Sequence, residues 1–400
     1  MRVLLSAMPA GGHFRPIVPL GHAALRAGHD VRVVTPDTAK DQVRAYGFEH
    51  LPAGRDWVSE DIERTADEPD IPGEKITEFL RTEGYPGAEA VRVARDILAH
   101  TRIWRPDVVV RENAEFGAYL AAEALGIPHV SIGAAGSSAS YLDPEVLAPA
   151  LDRGRAELGL EPDPAGARIH AYLHANLMPG EYDPGELAIP RVRCYRQESP
   201  ARPGERLPDW VADLPEPPIL AAFGTLHPRS AAWRPVTEAV IAGLGLLGRP
   251  AIVAVGSASF EALSSFDVPP SVRVVDRIPQ PLALETASLF VHHGGFNSVR
   301  ESVRAGVPMV VLPWFTDSLA NADRCADAGV GLVVPKAKVT PEAIRDACAY
   351  VLATPSYRSR TEALRRRMLT LPPIETLLAD VEGLVSVPGG SNRLSEFRTC

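Results

Sequence analysis

Short apolar runs rich in Val, Ile and Leu recur along the chain, separated by longer stretches whose apolar residues return every three or four positions. Runs of that kind between amphipathic segments predict strands buried on both faces and covered by helices, the pattern of a parallel α/β sheet. There are two series. The first predicts strands over Val3–Ala7, Val31–Thr35, Val108–Val110 and His129–Ile132, with helices over Pro19–Arg26 and Phe116–Ala124. The second predicts strands over Ile219–Phe223, Ala251–Val255, Val272–Val275, Leu289–His292, Met309–Leu312 and Gly331–Val334. Each series is expected to form a doubly wound sheet of Rossmann-like type.

The periodicity lapses over Arg191–Pro218, where proline and charge are dense, so the chain is expected to divide there. The expected plan is a first domain over 1–200, a linker over 201–218, and a second domain over 219–372. A terminal helix over 373–385 would cross back to the first domain, followed by a disordered tail over 386–400. Two irregular regions, about Asp56–Tyr85 and Ser137–Pro190, interrupt the first series. Long excursions from a sheet build binding pockets or are simply variable loops.

Composition narrows the picture. A length of 400 residues with 46% hydrophobic content is enough for two cores. The net charge of −9 and the lack of a dense Lys/Arg block argue against nucleic acid or an anionic membrane as partner. No window approaches the roughly 18 apolar residues of a membrane span, and MRVLLSAMPAGGH reads as a first strand, not a signal peptide. Cys194, Cys325, Cys348 and Cys400 form no C-x-x-C pair, so neither a zinc site nor a disulfide framework is expected, and a cytoplasmic setting fits.

Candidate chemistry concentrates in VHHGGFNSVRESVRAGVPMVVLPWFTDS, residues 291–318. A strand ending at His292 or His293, then Gly294-Gly295, then a helix through Asn297, Val299 and Val303 puts backbone N–H groups at the carboxyl edge of a sheet, where they attract anions. A glycine pair alone would be a tight turn. With His293, Asn297 and Ser298 added as hydrogen-bond donors, a diphosphate ligand becomes the better reading. His292 is then structural. Glu301 could accept a ribose's hydroxyls, and Asp317 ends its strand where open α/β sheets bind ligands, although a dipole-favoured Glu and a turn-forming Asp remain alternatives. In the first half, His13 follows Gly11-Gly12 between a strand and a helix, a place suited to a neutral imidazole that can accept a proton. A helix-capping role is the alternative.

The stretch Val291–Val334 resembles the donor-binding motif of family 1 glycosyltransferases of the GT-B fold, especially bacterial enzymes that glycosylate antibiotics and other natural products. MRVLLSAMPAGGHFRPIVPLGHAALRAGHDVRVVTP resembles that family's N-terminus, RPDVVVRENAEFGAYLAAEALGIPHV its internal strand–helix unit, and DRIPQPLALETASLFVHHGG its lead into the donor site. The resemblance implies two Rossmann-like domains facing across a cleft, the first binding the acceptor. It implies that Gly224, Thr225, His293, Gly295, Asn297 and Ser298 hold the donor's diphosphate. Arg277, Ile278, Pro279 and Gln280 would meet the base, Glu301 the ribose, and Asp317 and Ser318 the sugar. His13 would be the general base and Glu112 its carboxylate partner. The chain departs from the family's usual Trp at Arg277, its usual Gln at Ser318 and its usual Asp at Glu112. Asn113 competes for the partner's place, and a salt bridge from Glu112 to Arg111 is the alternative to catalysis.

The implied reaction is transfer of a sugar, a deoxysugar by the departure at Ser318, from a dTDP- or UDP-sugar to a hydroxyl of a small hydrophobic aglycone. It would proceed with inversion and without metal or other cofactor. Phe14, Trp57, Phe79, Ser138 and Tyr141, with Tyr172, would line the acceptor side, or belong to local core. The alternatives are a nucleotide-sugar epimerase of the same fold and a catalytically silent auxiliary protein. A nicotinamide-binding enzyme is disfavoured because A-M-P-A-G-G-H replaces the G-x-G-x-x-G turn.

Overall fold

The computed structural model describes residues 1–9, 11–58, 73–134, 136–196, 198, 201–224, 233–263, 265–314 and 316–386. The first sheet comprises β1 (Arg2–Ser6), β2 (Asp30–Thr35), β3 (Glu49–Pro52), β4 (Val108–Glu112), β5 (His129–Ile132), β6 (His174–Asn176) and β7 (Val192–Cys194), in the order β3-β2-β1-β4-β5-β6-β7. The second comprises β8 (Ile219–Ala222), β9 (Ala251–Ala254), β10 (Val272–Val275), β11 (Leu289–His292), β12 (Met309–Val311) and β13 (Gly331–Val333), in the order β10-β9-β8-β11-β12-β13. Every pairing in both sheets is parallel.

Three strands are not legible in the sequence: β3, β6 and β7. Each has only three or four residues. His-Ala-Asn in β6 has no apolar alternation, and its strand character comes from pairing beside Ser131 and Ile132 of β5.

Strand order fixes where ligands bind. In the first sheet the chain runs outward through β2 and β3, then returns to place β4 on the other side of β1. The second sheet repeats this with β8 flanked by β9 and β11. The carboxyl ends of β1 and β4, and of β8 and β11, are therefore the two switch points, where neighbouring connections diverge and leave a crevice.

Alternate residues of each strand enter opposite layers. Ile219 and Ala221 join one core with Val240, Ile241 and Leu244 of the helix Arg234–Leu247, while Leu220 and Ala222 join another with Ile278, Leu284 and Phe290. That two-sided burial explains the unbroken apolar runs.

The described residues form two compact units: one of residues 1–58, 74–198 and 370–386, the other of residues 201–369. The helix Ile374–Ser386 lies in the first unit, with Ile374, Leu377, Leu378, Val381 and Leu384 in its core. Asp380 accepts hydrogen bonds from Arg193 and Tyr195, and Glu382 meets His29 Nε2 at 2.7 Å.

The stretch 201–218, expected as a linker, is instead packed onto the second sheet. Val211 is buried there, with Leu207, Trp210 and Leu214 against it, and their three-to-four spacing is the signal that its prolines obscured. The cysteines need a similar correction. Cys325 and Cys348 are buried and not in disulfides, whereas Cys194 is disulfide-bonded. Pairing depends on Cα atoms brought close by the fold, which spacing alone does not reveal. Residues 387–400 of the expected tail lie outside the described residues.

Candidate active site

At the first switch point, β1 gives way to a short helix, Gly11–Phe14, which leads through Arg15–Ile17 into the helix Val18–Arg26. His13 stands in its opening turn. At the end of β4 the Glu112 side chain is fully buried, with Oε1 3.1 Å from His13 Nδ1 and Oε2 accepting the Ala114 N–H at 2.8 Å. The His–Glu contact has ion-pair distance without hydrogen-bond alignment.

The neighbours explain why Glu112 is held there. Arg111 is fully buried, and its guanidinium donates to the carbonyls of Glu112, Asn113, Glu115 and Ile169, bracing the loop after β4. Its hydrogen bonds thus go to backbone and not to the Glu112 carboxylate. Asn113 is also engaged elsewhere: its side chain donates to Ser138 Oγ at 2.8 Å and accepts the Ala134 N–H at 2.9 Å. Glu115 was not anticipated. It is buried, accepts from Ser6 Oγ at 2.8 Å and from the N–H groups of Gly117 and Ala118 at the start of the helix Gly117–Leu125, and burial pushes its pKa up.

The proposed acceptor residues separate. Phe14 turns into the core, edge-on to Tyr46 and Phe48, so its place as an acceptor contact is corrected: it lies with Ile17 and Val18 on the inner face of the helical run. Trp57 is buried but lines a cavity at the carboxyl ends of β1, β2 and β4, together with Met8, Pro36, Tyr85 and Glu115. Tyr141 is buried with its hydroxyl 3.2 Å from that of Tyr85. Ser138 is buried on Asn113, Tyr172 packs edge-on to His129, and Phe79 is 50% exposed.

At the second switch point, glycines make room for a histidine. A Cβ on Gly224 would lie 3.0 Å from His293 Cε1, and one on Gly295 only 2.4 Å from Nε2. The ring thus sits between the turn after β8 and the turn after β11. Burial pushes its pKa down to about 4, partly offset by a hydrogen bond to the Ala222 carbonyl. It is therefore neutral near pH 7, as a hydrogen-bonding group and not a fixed charge. His292 is wholly buried, with Nδ1 accepting the Gly294 N–H at 3.0 Å, a structural role.

The helix Phe296–Ala305 starts at an N-cap glycine, Gly295, that has no side chain to cap the first turn. Asn297 and Ser298 occupy that turn, with the Asn297 amide oxygen accepting from buried Arg300. Gln280 Nε2 donates to Glu301 Oε2 at 2.9 Å, so two expected nucleoside-binding residues share one place. Ile278, two residues before Gln280, is buried, while Arg277 points outward, 3.9 Å from Glu205. Asp317 begins the helix Asp317–Asp327 and Ser318 follows it, its hydroxyl accepting the Trp314 N–H at 3.1 Å. Thr225 lies outside the described residues.

Comparison with known proteins bears on this arrangement. Residues 23–159 match the N-terminal domain, and residues 238–384 the C-terminal domain, of the erythromycin biosynthesis protein CIII-like family. The L-demethylnoviosyl transferase of Streptomyces niveus is 30% identical over 384 residues, which span 92% of this chain and 93% of that protein. The chain belongs to the family 1 natural-product glycosyltransferases.

A further relative of this glycosyltransferase is the 10-deoxymethynolide desosaminyltransferase of Streptomyces venezuelae, 25% identical with 96% of this chain and 97% of that protein covered. Among solved structures, the spinosyn forosaminyltransferase SpnP superposes with a TM-score of 0.78 at 24% identity, covering 97% of this chain and all of that one (100%). The glycosyltransferase SsfS6 of Streptomyces sp. SF2575, solved with thymidine diphosphate, gives 0.77 at 24% identity, with 96% and 99% covered. The glycosyltransferase thus has the GT-B fold. Among its described residues no cluster of His, Cys, Asp or Glu could hold a metal ion, and no helix is long and apolar enough to cross a membrane.

Proposed function

We propose that this glycosyltransferase moves a deoxysugar from a dTDP-sugar, or a UDP-sugar, onto a hydroxyl of a small hydrophobic natural-product aglycone, inverting the anomeric carbon. The observation that carries the reading is the His13–Glu112 pair, an imidazole 3.1 Å from a fully buried carboxylate at a sheet switch point.

In this reading the acceptor oxygen attacks the anomeric carbon as the bond from that carbon to the diphosphate oxygen breaks. The hydroxyl proton passes to Nε2 of His13, the ring nitrogen away from Glu112, whose carboxylate faces Nδ1 and stabilises the imidazolium that results. The electron pair of the broken bond leaves on the nucleoside diphosphate. There the opening N–H groups of the helix Phe296–Ala305, with the His293 imidazole, meet the developing charge. That charge is met by protein groups, so no divalent ion is required.

Binding is tested by thermal shift with dTDP and UDP, since a ligand of the folded state raises the melting temperature. Transfer is tested by mass spectrometry with dTDP-rhamnose and a panel of hydroxylated macrolide and aromatic aglycones, in excess chelator. Product formation in wild-type protein and far slower formation in His13→Ala is expected. Transfer by His13→Ala at the wild-type rate would sink the mechanism, and loss of transfer in chelator restored by magnesium would sink its metal independence.

A further inference from the structure

Asn321 did not stand out in the sequence, yet it joins two parts of the donor site. It is wholly buried on the helix Asp317–Asp327, one turn beyond Asp317. Its side-chain Nδ2 donates to the Gly294 carbonyl at 3.0 Å and to Asp317 Oδ2 at 3.0 Å. Gly294 belongs to the turn that sets the diphosphate-facing groups, and Asp317 is the carboxylate assigned to the sugar.

We infer that Asn321 is a positioning residue that couples the hold on the donor's sugar to the hold on its diphosphate. This rests on the donor reading given above. Both of its partners are acceptors, so the bridge needs one nitrogen with two hydrogens, which an asparagine amide supplies. An aspartate there would set a carboxylate against a carbonyl and another carboxylate. A serine has one hydrogen and can satisfy only one of the two.

The groups joined are themselves fixed by the local backbone. Gly294 has φ +87°, and a Cβ on it would lie 2.9 Å from the Ser318 carbonyl oxygen, so the turn and the start of the Asp317 helix are in close contact. Thr316, just before Asp317, has φ 60° and ψ −140°, a conformation favoured by glycine and costly for a β-branched residue. From that position its hydroxyl donates to Asp317 Oδ1 at 3.1 Å. Thr316 and Asn321 thus hold the carboxylate from both oxygens, which fixes the remaining lone-pair directions for sugar hydroxyls. Only the Asn321 side also reaches the diphosphate turn.

The experiment compares dissociation constants for dTDP and for dTDP-rhamnose in the full chain, using their ratio to isolate the sugar contact from the nucleotide. Wild-type binding is measured first, so a failure of the donor reading appears there, while a failure of this inference appears only in the variants. Asn321→Ala is expected to lower the ratio about tenfold, the scale of lost hydrogen bonds to a charged group, and to weaken dTDP itself several-fold. In an Asp317→Ala background, Asn321→Ala should no longer change the ratio. Asn321→Ser, which keeps one donor and suits the case in which the alanine variant does not fold, should fall between. An unchanged ratio in Asn321→Ser or Asn321→Ala, with both ligands weakened equally, would show a purely structural residue and overturn the inference. So would additive effects of the Asp317 and Asn321 substitutions.

Discussion

The two switch points use the same ingredients, a histidine and a pair of glycines between a strand and a helix, and give them opposite electrostatics. After β1 the glycines precede His13, and the ring meets the buried Glu112 carboxylate. After β11 the glycines follow His293, and the ring is enclosed between Gly224 and Gly295, its pKa pushed down to about 4. One histidine has a partner for the proton it would receive. The other is kept neutral where a diphosphate would bring negative charge. Residue type therefore does not assign role; the neighbour across the sheet does.

The sharpest way to break this comparison is the same substitution in both turns. His13→Ala is expected to lower kcat about 10²–10⁴-fold and leave the dissociation constant for dTDP unchanged, whereas His293→Ala should weaken dTDP. A kcat effect of equal size in both variants, without the split in binding, would erase the distinction.

Glu112→Gln tests the partner. Its amide keeps the size but cannot stabilise an imidazolium, so kcat should fall about a hundredfold and the acid limb of the pH–rate profile should move. If only the melting temperature changes, Glu112 is structural.

A smaller effect is expected from Gly295→Ala. Gly295 has φ −59°, which any residue adopts, so the substitution adds no backbone strain and acts only through the 2.4 Å clash with His293. Titration calorimetry should show dTDP binding weakened about tenfold, of the order of one charge-assisted hydrogen bond. Unchanged affinity would mean that the ring's position does not matter to the diphosphate.

A separate effect is on stability and not on binding or turnover. Burial pushes His129 down to about 3, and His170 and His292 well below the ordinary 6.5. Their folded values lie below the unfolded one, so the unfolded state binds more protons, and stability falls as pH drops below about 6.5. Each histidine contributes a slope of up to about 1.4 kcal/mol per pH unit. Melting temperature should decline between pH 7 and 5, and less steeply in His129→Phe, whose ring can keep the edge-on contacts with Tyr119 and Tyr172. Identical slopes would exclude His129 as a source.

Much of the site was legible because helix starts and glycine turns are local. His13, His293, Asn297, Glu301 and Asp317 all stand where a strand pattern gives way to a helix pattern. Glu112 was reached through family resemblance, since nothing in VVVREN distinguishes the carboxylate proposed as the partner of His13 from Glu115 three residues on. Glu115 and Thr316 escaped, as did the bracing of the β4 loop by Arg111, because these roles are distances and backbone angles. Asn321 and Phe14 left signals that could have been used. Asn321 is four residues from Asp317, the spacing of one helical turn, and Phe14, Ile17 and Val18 share the spacing of a buried helix face.

By itself the sequence determined which segments are buried on both faces, and hence two parallel sheets with a histidine at the carboxyl edge of each. The tertiary structure decided which strands lie side by side. Only the order that seats β4 against β1 sets Glu112 beside His13, and only the seating of β11 against β8 closes Gly224 over His293. Apolar periodicity records which face of a segment leaves water. It carries no record of the neighbour, because parallel pairing is settled between distant segments through packing that no single stretch contains.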